Sequence, residues 1–424
     1  MRSFRKRVEA LSFAGEIAGP STGVPRHPSM KVLIYTHAFA PSVGGVETYV
    51  RLLAEGLARR ISSDRASRIG IIVATPTSSG DFDDSPLPFR VVRQPTWLAL
   101  FRLVREADVI HLAGPCFLPM LFGLLLCKPV VVEHHGYQAA CPNGLFFFEP
   151  TQTVCPGHFQ AGRYQKCVEC NRAKTGIARS LAMLLFTFPR HWMCKLVARN
   201  APITEHVKHR LRLPRSEVIF YGILDVSPPP RDGAAFPDIS TPLCFAYVGR
   251  LVNEKGLPIL LQSAKELDRR GYKFLLKFIG DGPERGRLER LTDALELRER
   301  VTFTGYRLGS DLQCELQDVT AVVMPSLWEE TAGLAAIEQM MRARLVIVSD
   351  IGGLGEVVDG AGLKFPPGDV AGLTSCLQRV LDDPSLVGKV GNQARERALA
   401  LFSQGIMINR HISLFEELLS KKTE

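Results

Sequence analysis

Residues 325–338 read Pro-Ser-Leu-Trp-Glu-Glu-Thr-Ala-Gly-Leu-Ala-Ala-Ile-Glu, and this stretch decides the fold. The apolar run before it, residues 319–324, is typical of a buried strand, and residues 333–341 after it have the composition of a helix. The segment is therefore predicted to be a strand, a turn and the beginning of a helix. In doubly wound α/β sheets this junction is where ligands bind. Free N–H groups at the beginning of the helix favour a phosphate there.

Two glutamates in this stretch are candidates for ligand contacts. Glu330 is expected on the turn and Glu338 about two turns into the helix. If the whole segment were helical, a rise of ~1.5 Å per residue would place them up to ~12 Å apart. That distance suits contacts to a sugar on one side of a diphosphate and to a ribose on the other. Taken alone, the pair is more simply interpreted as two solvated helix glutamates.

A second predicted strand, residues 244–248, is followed by a loop with two cations, Arg250 and Lys255. Cations on a loop between a strand and a helix suit the negative charge that gathers on a departing diphosphate. The two loops together favour an enzyme over a solvated surface.

With these residues in view, the chain resembles the retaining nucleotide-sugar glycosyltransferases of family 4, which have the GT-B fold. The matching pieces lie in the family's order between residues 31 and 370: Gly44-Gly45-Val46-Glu47, Arg250 with Lys255, Gly280-Asp281-Gly282-Pro283, Phe303-Thr304-Gly305, and the pair Glu330 and Glu338. The chain departs from the family at Thr204 and Tyr221, where serine and asparagine are more usual. The resemblance implies an α/β protein with two Rossmann-like domains that face each other across a cleft.

The resemblance also implies roles for individual residues. Arg250 and Lys255 would stabilise the leaving diphosphate, and Glu338 would hold the ribose hydroxyls. Glu330 would orient the transferred sugar together with His135, although a lone histidine at a strand end is more often structural. The other donor-binding positions are Gly44, Gly45, Gly280, Gly282, Gly305, Tyr306, Gly333 and Leu334. The sequence contains no metal–diphosphate motif, so catalysis is expected to need no cofactor. Gly280-x-Gly282 lacks the third glycine of a dinucleotide fingerprint, which disfavours NAD.

Length and composition indicate two domains. The chain has 424 residues, 46% of them hydrophobic, which is enough for two cores. We expect a disordered extension at 1–29, an acceptor-side domain at 30–224 and a Pro-rich linker at 225–242. The nucleotide-sugar domain is expected at 243–404, and 405–424 should form a helix that packs back on the first domain. Alternating strand and helix patterns in the second half predict a parallel sheet.

Four cysteines, Cys141, Cys155, Cys167 and Cys170, lie within an insertion of the first domain (141–170) with the spacing C-x13-C-x11-C-x2-C. Four thiolates suit tetrahedral zinc, and structural disulfides are rare in the cytosol. A structural zinc site, a redox or disulfide role, and no special role all remain open. The other six cysteines are expected to be small core residues.

Positive charge is concentrated in the first half of the chain. Residues 1–224 contain 28 Lys and Arg against 15 Asp and Glu, whereas residues 225–424 contain 24 against 28. Residues 163–215 hold twelve Lys and Arg against two acids, around the apolar run 177–188. A basic, apolar helix can lie on anionic lipid. A solvated face over a core helix explains the pattern equally well.

The residues and the resemblance together predict a glycosyltransferase that moves a hexose-type sugar from a UDP- or GDP-sugar to a hydroxyl of a glycan or lipid-linked acceptor. The resemblance further implies that the anomeric configuration is retained. The enzyme's expected setting is polysaccharide or glycolipid synthesis in the cytoplasm, peripheral to the inner face of the cytoplasmic membrane. No nucleic-acid partner is expected. Two alternatives belong to other classes: a sugar-nucleotide epimerase of the same fold, and a non-enzymatic binder of anionic membrane or nucleic acid. Neither alternative accounts for Arg250, Lys255, Glu330 and Glu338 together.

Overall fold

The computed structural model describes residues 30–42, 44–63, 69–226 and 242–421. The predicted extension at 1–29 lies outside the described residues, and so does most of the predicted linker. Among the described helices, none is both long enough and apolar enough to cross a bilayer.

The first domain is a six-stranded parallel sheet with the strand order β3-β2-β1-β4-β5-β8. Its strands are β1 (Met30–Thr36), β2 (Ile69–Thr75), β3 (Arg90–Arg93), β4 (Val109–Ala113), β5 (Val130–His134) and β8 (Arg199–Pro202). Its helices are α1 (Gly45–Ser63), α2 (Trp97–Glu106), α3 (Phe117–Leu125), α4 (Tyr164–Thr175), α5 (Ile177–Leu196) and α6 (Glu205–Leu211). A small antiparallel hairpin, β6 (Phe147–Phe148) and β7 (Thr153–Val154), lies in the cysteine-bearing insertion.

The second domain repeats this plan with the strand order β11-β10-β9-β12-β13-β14. Its strands are β9 (Leu243–Val248), β10 (Phe274–Ile279), β11 (Val301–Gly305), β12 (Val319–Met324), β13 (Leu345–Ser349) and β14 (Leu363–Phe365). Its helices are α7 (Leu257–Arg269), α8 (Arg285–Ala294), α9 (Gly309–Glu315), α10 (Leu334–Met341), α11 (Gly352–Val357), α12 (Val370–Asp382), α13 (Ser385–Leu401) and α14 (Gln404–Ser420), and a 3-10 turn spans Asn253–Lys255.

The central strands read as continuous apolar runs because helices cover both faces of a parallel sheet. Every residue of β5, β12 and β13 is buried. The strand order reverses between β1 and β4 in the first sheet and between β9 and β12 in the second. Ligands bind at such reversal points in doubly wound sheets. The predicted fold class, two Rossmann-like α/β domains, is confirmed.

The stretch that opened the sequence analysis differs from its prediction in one respect. β12 ends at Met324 and α10 begins only at Leu334, after Gly333 in a left-handed conformation (φ 74°). Glu330 therefore lies in a loop, and Glu338 is about one turn into α10. The ~12 Å separation estimated for a fully helical segment does not apply, because a left-handed residue stops the helix from extending backwards.

The last helix, α14, packs against α1 of the first domain. The backbone N–H of Gln404 donates to the carbonyl of Ile223 (2.9 Å), and the Gln404 side-chain amide donates to the carbonyl of Leu52 (2.8 Å). The chain thus returns to the first domain after completing the second.

Gly256 allows the two loops of the second domain to touch. Its φ is 65°, and a Cβ on it would lie 2.1 Å from the Pro325 carbonyl oxygen. Nearby, the backbone N–H of Leu327 donates to the carbonyl of Glu254 (2.9 Å). A side chain at position 256 would push apart the loops that follow β9 and β12.

We predict that Gly256→Ala destabilises the protein more than Gly271→Ala does. Gly271 also has a positive φ (83°), but a Cβ there meets nothing within 4 Å. Gly271→Ala should cost about 1 to 2 kcal/mol for the left-handed backbone alone, and Gly256→Ala a further 1 to 3 kcal/mol for the clash. Urea unfolding of both variants measures the difference. Equal losses would show that the close approach at Pro325 is unimportant.

Candidate active site

The predicted donor residues gather at the carboxyl ends of β9, β10 and β12. The loop after β9 is held to the loop after β10 because the N–H of Leu251 donates to the carbonyl of Asp281 (2.9 Å). The N–H of Gly280 donates to the carbonyl of Gly305 (2.9 Å) at the end of β11. Gly282 also lies against Leu251, where a Cβ would clash with the backbone. The structure thus brings the glycine loops and both cations to one edge of the sheet.

Lys255 and Glu330, predicted in separate roles, form an ion pair. Lys255 Nζ lies 2.9 Å from Glu330 Oε1, with side-chain exposures of 14% and 6%. Ser326 donates its hydroxyl to the same carboxylate oxygen, and Lys255 Nζ is 5.6 Å from the centre of the Trp328 ring. The pair holds the ammonium group in place before any ligand binds. The contribution of Ser326 was not anticipated from the sequence.

Arg250 is exposed, and its guanidinium makes no hydrogen bond or ion pair within the described residues. Its backbone is nevertheless fixed, because the Tyr247 hydroxyl donates to the Arg250 carbonyl (2.8 Å). The loop therefore holds two different cations. Lys255 is fixed by an ion pair, whereas the guanidinium of Arg250 is exposed to solvent and can contact a ligand.

Glu338 lies on α10 and is partly buried. Burial raises the pKa of its carboxyl group, and Arg342 opposes that shift only in part. Within the part of the chain that the structure describes, no hydrogen-bond partner is found for this carboxyl. A desolvated carboxylate without a partner is unfavourable, and hydroxyl groups of a ligand would satisfy it.

The beginnings of α1 and α10 face each other from the two domains. A Cβ on Gly45, the first residue of α1, would lie 3.7 Å from Leu334 Cδ2, at the start of α10. Neither Gly44 nor Gly333 provides a side chain that would cover the N–H groups of these helices. Tyr306, also predicted at the donor site, follows Gly305 and is exposed.

The ring of His135 is turned into the first domain. Its side chain is 4% exposed, with Nδ1 2.9 Å from the Tyr221 hydroxyl and Nε2 3.4 Å from Glu133 Oε2. The backbone carbonyl of His135, by contrast, accepts a hydrogen bond from the Thr331 hydroxyl of the second domain (3.0 Å). Its predicted contact with the sugar remains a prediction, and both ring nitrogens already face protein groups.

Glu133 lies at the centre of a buried polar network that sequence reasoning did not find. Tyr49 donates to its Oε1, and His111 Nε2 lies 3.1 Å from its Oε2. His411 of α14 completes the group: its Nδ1 is 2.9 Å from the Met407 carbonyl and its Nε2 is 3.3 Å from the Tyr49 hydroxyl. Burial opposes ionisation of Glu133, but His135 and His111 outweigh it, and the pKa of Glu133 lies well below its ordinary value.

This network also has metal-ligating atoms. Those of His111, Glu133 and His411 all lie within 4.8 Å of one another. The carboxylate, however, already accepts the Tyr49 hydroxyl and contacts imidazole on both oxygens. The hydrogen bonds account for the arrangement, which ties α14 to β4, β5 and α1.

The two domains meet at the same stretch that forms the donor edge. Glu329 Oε2 accepts a hydrogen bond from Arg210 (2.8 Å), and its carbonyl accepts one from Tyr137 (2.9 Å). The Thr331 carbonyl accepts a bond from Thr204 (2.8 Å). The Glu356 carboxylate also accepts two bonds, from the first N–H groups of α6 (2.9 and 2.8 Å).

The four cysteines of the insertion are all buried and free. Cys141 donates to the side-chain oxygen of Asn143 (3.0 Å), whose amide nitrogen donates to Cys170 Sγ (3.6 Å). Burial raises the pKa of Cys167 to about 12 and of Cys170 to about 11. Among the described residues, no three of these thiols have their sulfur atoms within 4.8 Å of one another. The zinc site is untested and remains a prediction.

The insertion also touches the donor loop. Gln152, in the turn of the β6–β7 hairpin, accepts a hydrogen bond from Asn253.

Of the six remaining cysteines, Cys127 and Cys314 are exposed, so the expectation that all six are core residues was wrong for these two.

A cavity of about 320 Å³ opens in the first domain at the carboxyl ends of β1 and β4, where the strand order reverses. Its polar lining includes Thr36, His37, Glu47, His135, Gln138 and Arg190. Arg190 comes from α5, and no sequence pattern indicated that it would reach this cavity. The position of the cavity, opposite the donor edge, suits an acceptor.

Two parallel-sheet domains with their reversal points across a cleft define a protein of the GT-B class. Solved structures with this arrangement include sucrose-phosphate synthase of Thermosynechococcus elongatus, with a TM-score of 0.67, 22% identity, and coverage of 92% of this chain and 100% of that chain. HepE of Anabaena in complex with UDP-glucose gives a TM-score of 0.66 and 16% identity, with coverage of 92% and 100%. At these identities the likeness shows the fold alone.

In sequence, residues 235–397 match the family model described as glycosyl transferases group 1. Alpha-D-kanosaminyltransferase of Streptomyces kanamyceticus is 32% identical over 174 residues, 41% of this chain and 45% of that protein. The lipopolysaccharide core biosynthesis glycosyltransferase LpsD of Rhizobium meliloti is 31% identical over 198 residues, 46% and 56% of the two chains. The chain thus spans about half the length of these curated relatives. Together the comparisons show the GT-B fold and a similarity of the second domain to glycosyl transferases group 1.

We predict that stability falls as the pH drops below about 6.5, because two histidines are buried without charge. Burial lowers the pKa of both His134 and His411 to about 4. Between pH 6.5 and 4 the unfolded chain binds protons that the folded chain does not, so this contribution is complete above pH 6.5 and is lost towards pH 4. Each histidine contributes a slope of up to about 1.4 kcal/mol per pH unit.

Urea unfolding of the parent and of His411→Gln at pH 7, 6 and 5 measures that slope. His411→Gln should show the shallower pH dependence, whatever its stability at pH 7. The control is His209→Gln, since His209 has a side chain that is 78% exposed. An unchanged slope in His411→Gln would contradict the assignment.

Proposed function

We propose that the protein is a glycosyltransferase that moves a sugar from a nucleotide diphosphate sugar to a hydroxyl group of an acceptor. The observation that carries this proposal is the group of charges at the carboxyl edge of the second sheet. There the restrained Lys255, the available Arg250 and the unpartnered carboxyl of Glu338 lie in the domain that matches glycosyl transferases group 1. A structural neighbour, HepE of Anabaena, has been solved in complex with UDP and with UDP-glucose.

In this proposal the bond between the anomeric carbon and the diphosphate oxygen breaks, and the acceptor oxygen bonds to that carbon. The proton of the acceptor hydroxyl passes to the departing diphosphate. The electron pair of the broken bond stays on the diphosphate. Arg250 and Lys255 meet this growing charge, and the uncovered N–H groups at the start of α10 add to it. Because Lys255 and the start of α10 are already in place, these two groups need little reorganisation during the reaction.

The carboxylates have different tasks. Glu338 accepts hydrogen bonds from ribose hydroxyls of the donor. Glu330 is held by Lys255 and Ser326, and its remaining acceptor positions face the transferred sugar. Its charge also restrains Lys255 while the donor is absent.

Finer statements rest on the resemblance and are proposals of the same kind. The donor carries uracil or guanine and a hexose-type sugar, and the configuration at the anomeric carbon is retained. The acceptor is a glycan or a lipid-linked sugar that enters through the cavity of the first domain. Catalysis needs no metal ion, and the reaction takes place on the cytoplasmic side.

We predict that Arg250→Ala and Lys255→Ala each lower turnover on the order of 10²-fold, the scale for removal of one electrostatic donor. Donor binding should weaken much less, since the charge that these residues meet grows in the transition state. Release of nucleoside diphosphate from UDP-glucose and GDP-mannose measures turnover, and an exposed cation of the same domain, Arg269→Ala, serves as the control.

Near-normal turnover in either variant would remove that residue from the leaving-group role. Conversion of the sugar while it is still attached to its nucleotide, without release of diphosphate, would instead identify an epimerase.

The cysteine-bearing insertion is proposed to hold a structural zinc ion through Cys141, Cys155, Cys167 and Cys170. Four buried thiols are the donor set that such sites use. The four sulfur atoms would have to move closer together to hold one zinc ion. Zinc binding would bring about this movement as it displaces the thiol protons.

Elemental analysis of purified protein should find about one zinc per chain. Cys167→Ser/Cys170→Ser should lose the metal, whereas Cys314→Ser, an exposed cysteine outside the insertion, should keep it. His411→Gln should also keep it, which separates this site from the buried histidine network. Fully active protein without metal would refute the zinc site.

A further inference from the structure

Helix α5 exposes a continuous row of large apolar side chains. Ile177, Leu181, Leu185, Phe188, Trp192 and Leu196 are between 39% and 66% exposed. They follow one another at spacings of three and four residues, which places them on one side of the helix. We call this row the apolar stripe. The buried residues Ser180, Thr187 and Cys194 lie on the other side of the helix and account for its packing. Phe188, the least exposed residue of the apolar stripe, also contacts the rings of Phe159 and Tyr164.

Neighbouring helices of the first domain also expose large apolar residues. α3 packs against α5, and α2 packs against α3. Exposed apolar residues on these two helices are Trp97, Leu98, Leu118 and Leu125. Single exposed apolar residues are common on protein surfaces and need no explanation. A larger group of them on one part of the surface marks an interaction site.

The charge around the apolar stripe is positive. α5 contains Arg179, Arg190 and Lys195 and no acidic residue. Arg163 and Arg172, at the start and in the last turn of α4, are exposed as well. An apolar face bordered by Lys and Arg is complementary to a bilayer with anionic headgroups. A second copy of this chain would bring the same positive charge against itself.

We infer that α5 lies in the surface of an anionic bilayer, with the apolar stripe facing the acyl chains and the surrounding Lys and Arg contacting the headgroups. Binding of this kind does not depend on sugar transfer. Only the conclusion that the acceptor is carried on a lipid rests on the proposed function.

The cavity of the first domain lies along α5, on the side of the helix that carries Phe186 and Arg190 rather than the apolar stripe. Arg190 lines the cavity, and Phe186, one helical turn earlier on α5, is exposed. On the other side, Pro115 lines the cavity and the exposed Leu118 follows one turn later. A bilayer on the apolar stripe would therefore be separated from the cavity by the width of one helix, ~10 Å. A sugar carried above the headgroups on a lipid would span that distance.

Arg190 also indicates the chemistry of the acceptor. Its Nη1 donates to the Gln138 carbonyl (3.2 Å), but its Nε is buried and has no hydrogen-bond partner among the described residues. The guanidinium of Arg190 lines the cavity, and its charge would match that of a phosphate group on the acceptor. The acceptor is accordingly a sugar carried on a lipid phosphate.

Flotation of the full chain with vesicles tests the docking without any donor or acceptor. We expect the protein to float with vesicles of phosphatidylcholine and phosphatidylglycerol, and to remain behind with phosphatidylcholine alone. Higher salt should weaken the binding.

Two pairs of variants separate the apolar and electrostatic contributions. Leu185→Asn/Trp192→Asn should abolish flotation while leaving the unfolding temperature unchanged, since both side chains are exposed. Arg179→Gln/Lys195→Gln should weaken binding about 30-fold, the effect of two cations near an anionic surface. Arg269→Gln/Arg298→Gln removes two exposed cations of the second domain and should have no effect.

The inference is overturned if the protein floats with neither vesicle, if it floats equally with both, or if Leu185→Asn/Trp192→Asn floats as the parent does. It is also overturned if sedimentation shows the parent as a dimer that this variant dissociates, because the apolar stripe would then join two copies. Failure of nucleotide-sugar turnover with intact flotation would contradict the proposed function and leave the docking in place.

Discussion

The ion pair between Lys255 and Glu330 is the interaction on which the site depends. It joins the loop after β9 to the loop after β12, and both side chains are nearly removed from water. Removing one partner of such a pair leaves an uncompensated charge in a poorly solvated place, which is strongly destabilising. The pair can form because Gly256 lets one loop lie directly on the Pro325 carbonyl. A backbone requirement at one glycine thus fixes the position of the ammonium group assigned to the leaving diphosphate.

The same stretch of chain holds the two domains together. Glu329 and Thr331 flank Glu330, and both bond to the first domain, through Arg210 and the His135 carbonyl among other groups. The donor edge and the domain interface are therefore one structure. Any change that displaces residues 329–331 alters the cation site and the closure of the cleft together. Helix α14 adds a second connection, since His411 reaches the network around Glu133.

Local sequence patterns predicted a parallel α/β sheet and the edge at which the donor residues meet, and the family resemblance predicted the arrangement in two domains. The apolar runs before residues 250 and 325 had the length and composition of buried strands, and ends of parallel strands meet at one edge of a sheet. Other features depend on contacts between distant positions. His411 and Glu133 are 278 residues apart, and no periodicity relates them. The sequence likewise could not predict the pairing of Lys255 with Glu330 or the inward orientation of the His135 ring, because each depends on how loops pack. The exposed side of α5 could not be told from a core face, since composition does not show which side of a helix is covered.

The central claim is that a nucleoside diphosphate binds at the carboxyl edge of the second sheet. Urea unfolding in the presence of UDP or GDP measures this directly, and Glu338→Gln tests the ribose contact against Glu299→Gln, an exposed carboxylate of the same domain. At 100 times its dissociation constant, the correct nucleotide should raise the free energy of unfolding of the parent and of Glu299→Gln by about 2.7 kcal/mol. Glu338→Gln should gain much less at the same concentration. The claim is contradicted if neither nucleotide stabilises the parent, or if Glu338→Gln gains as much as the parent does.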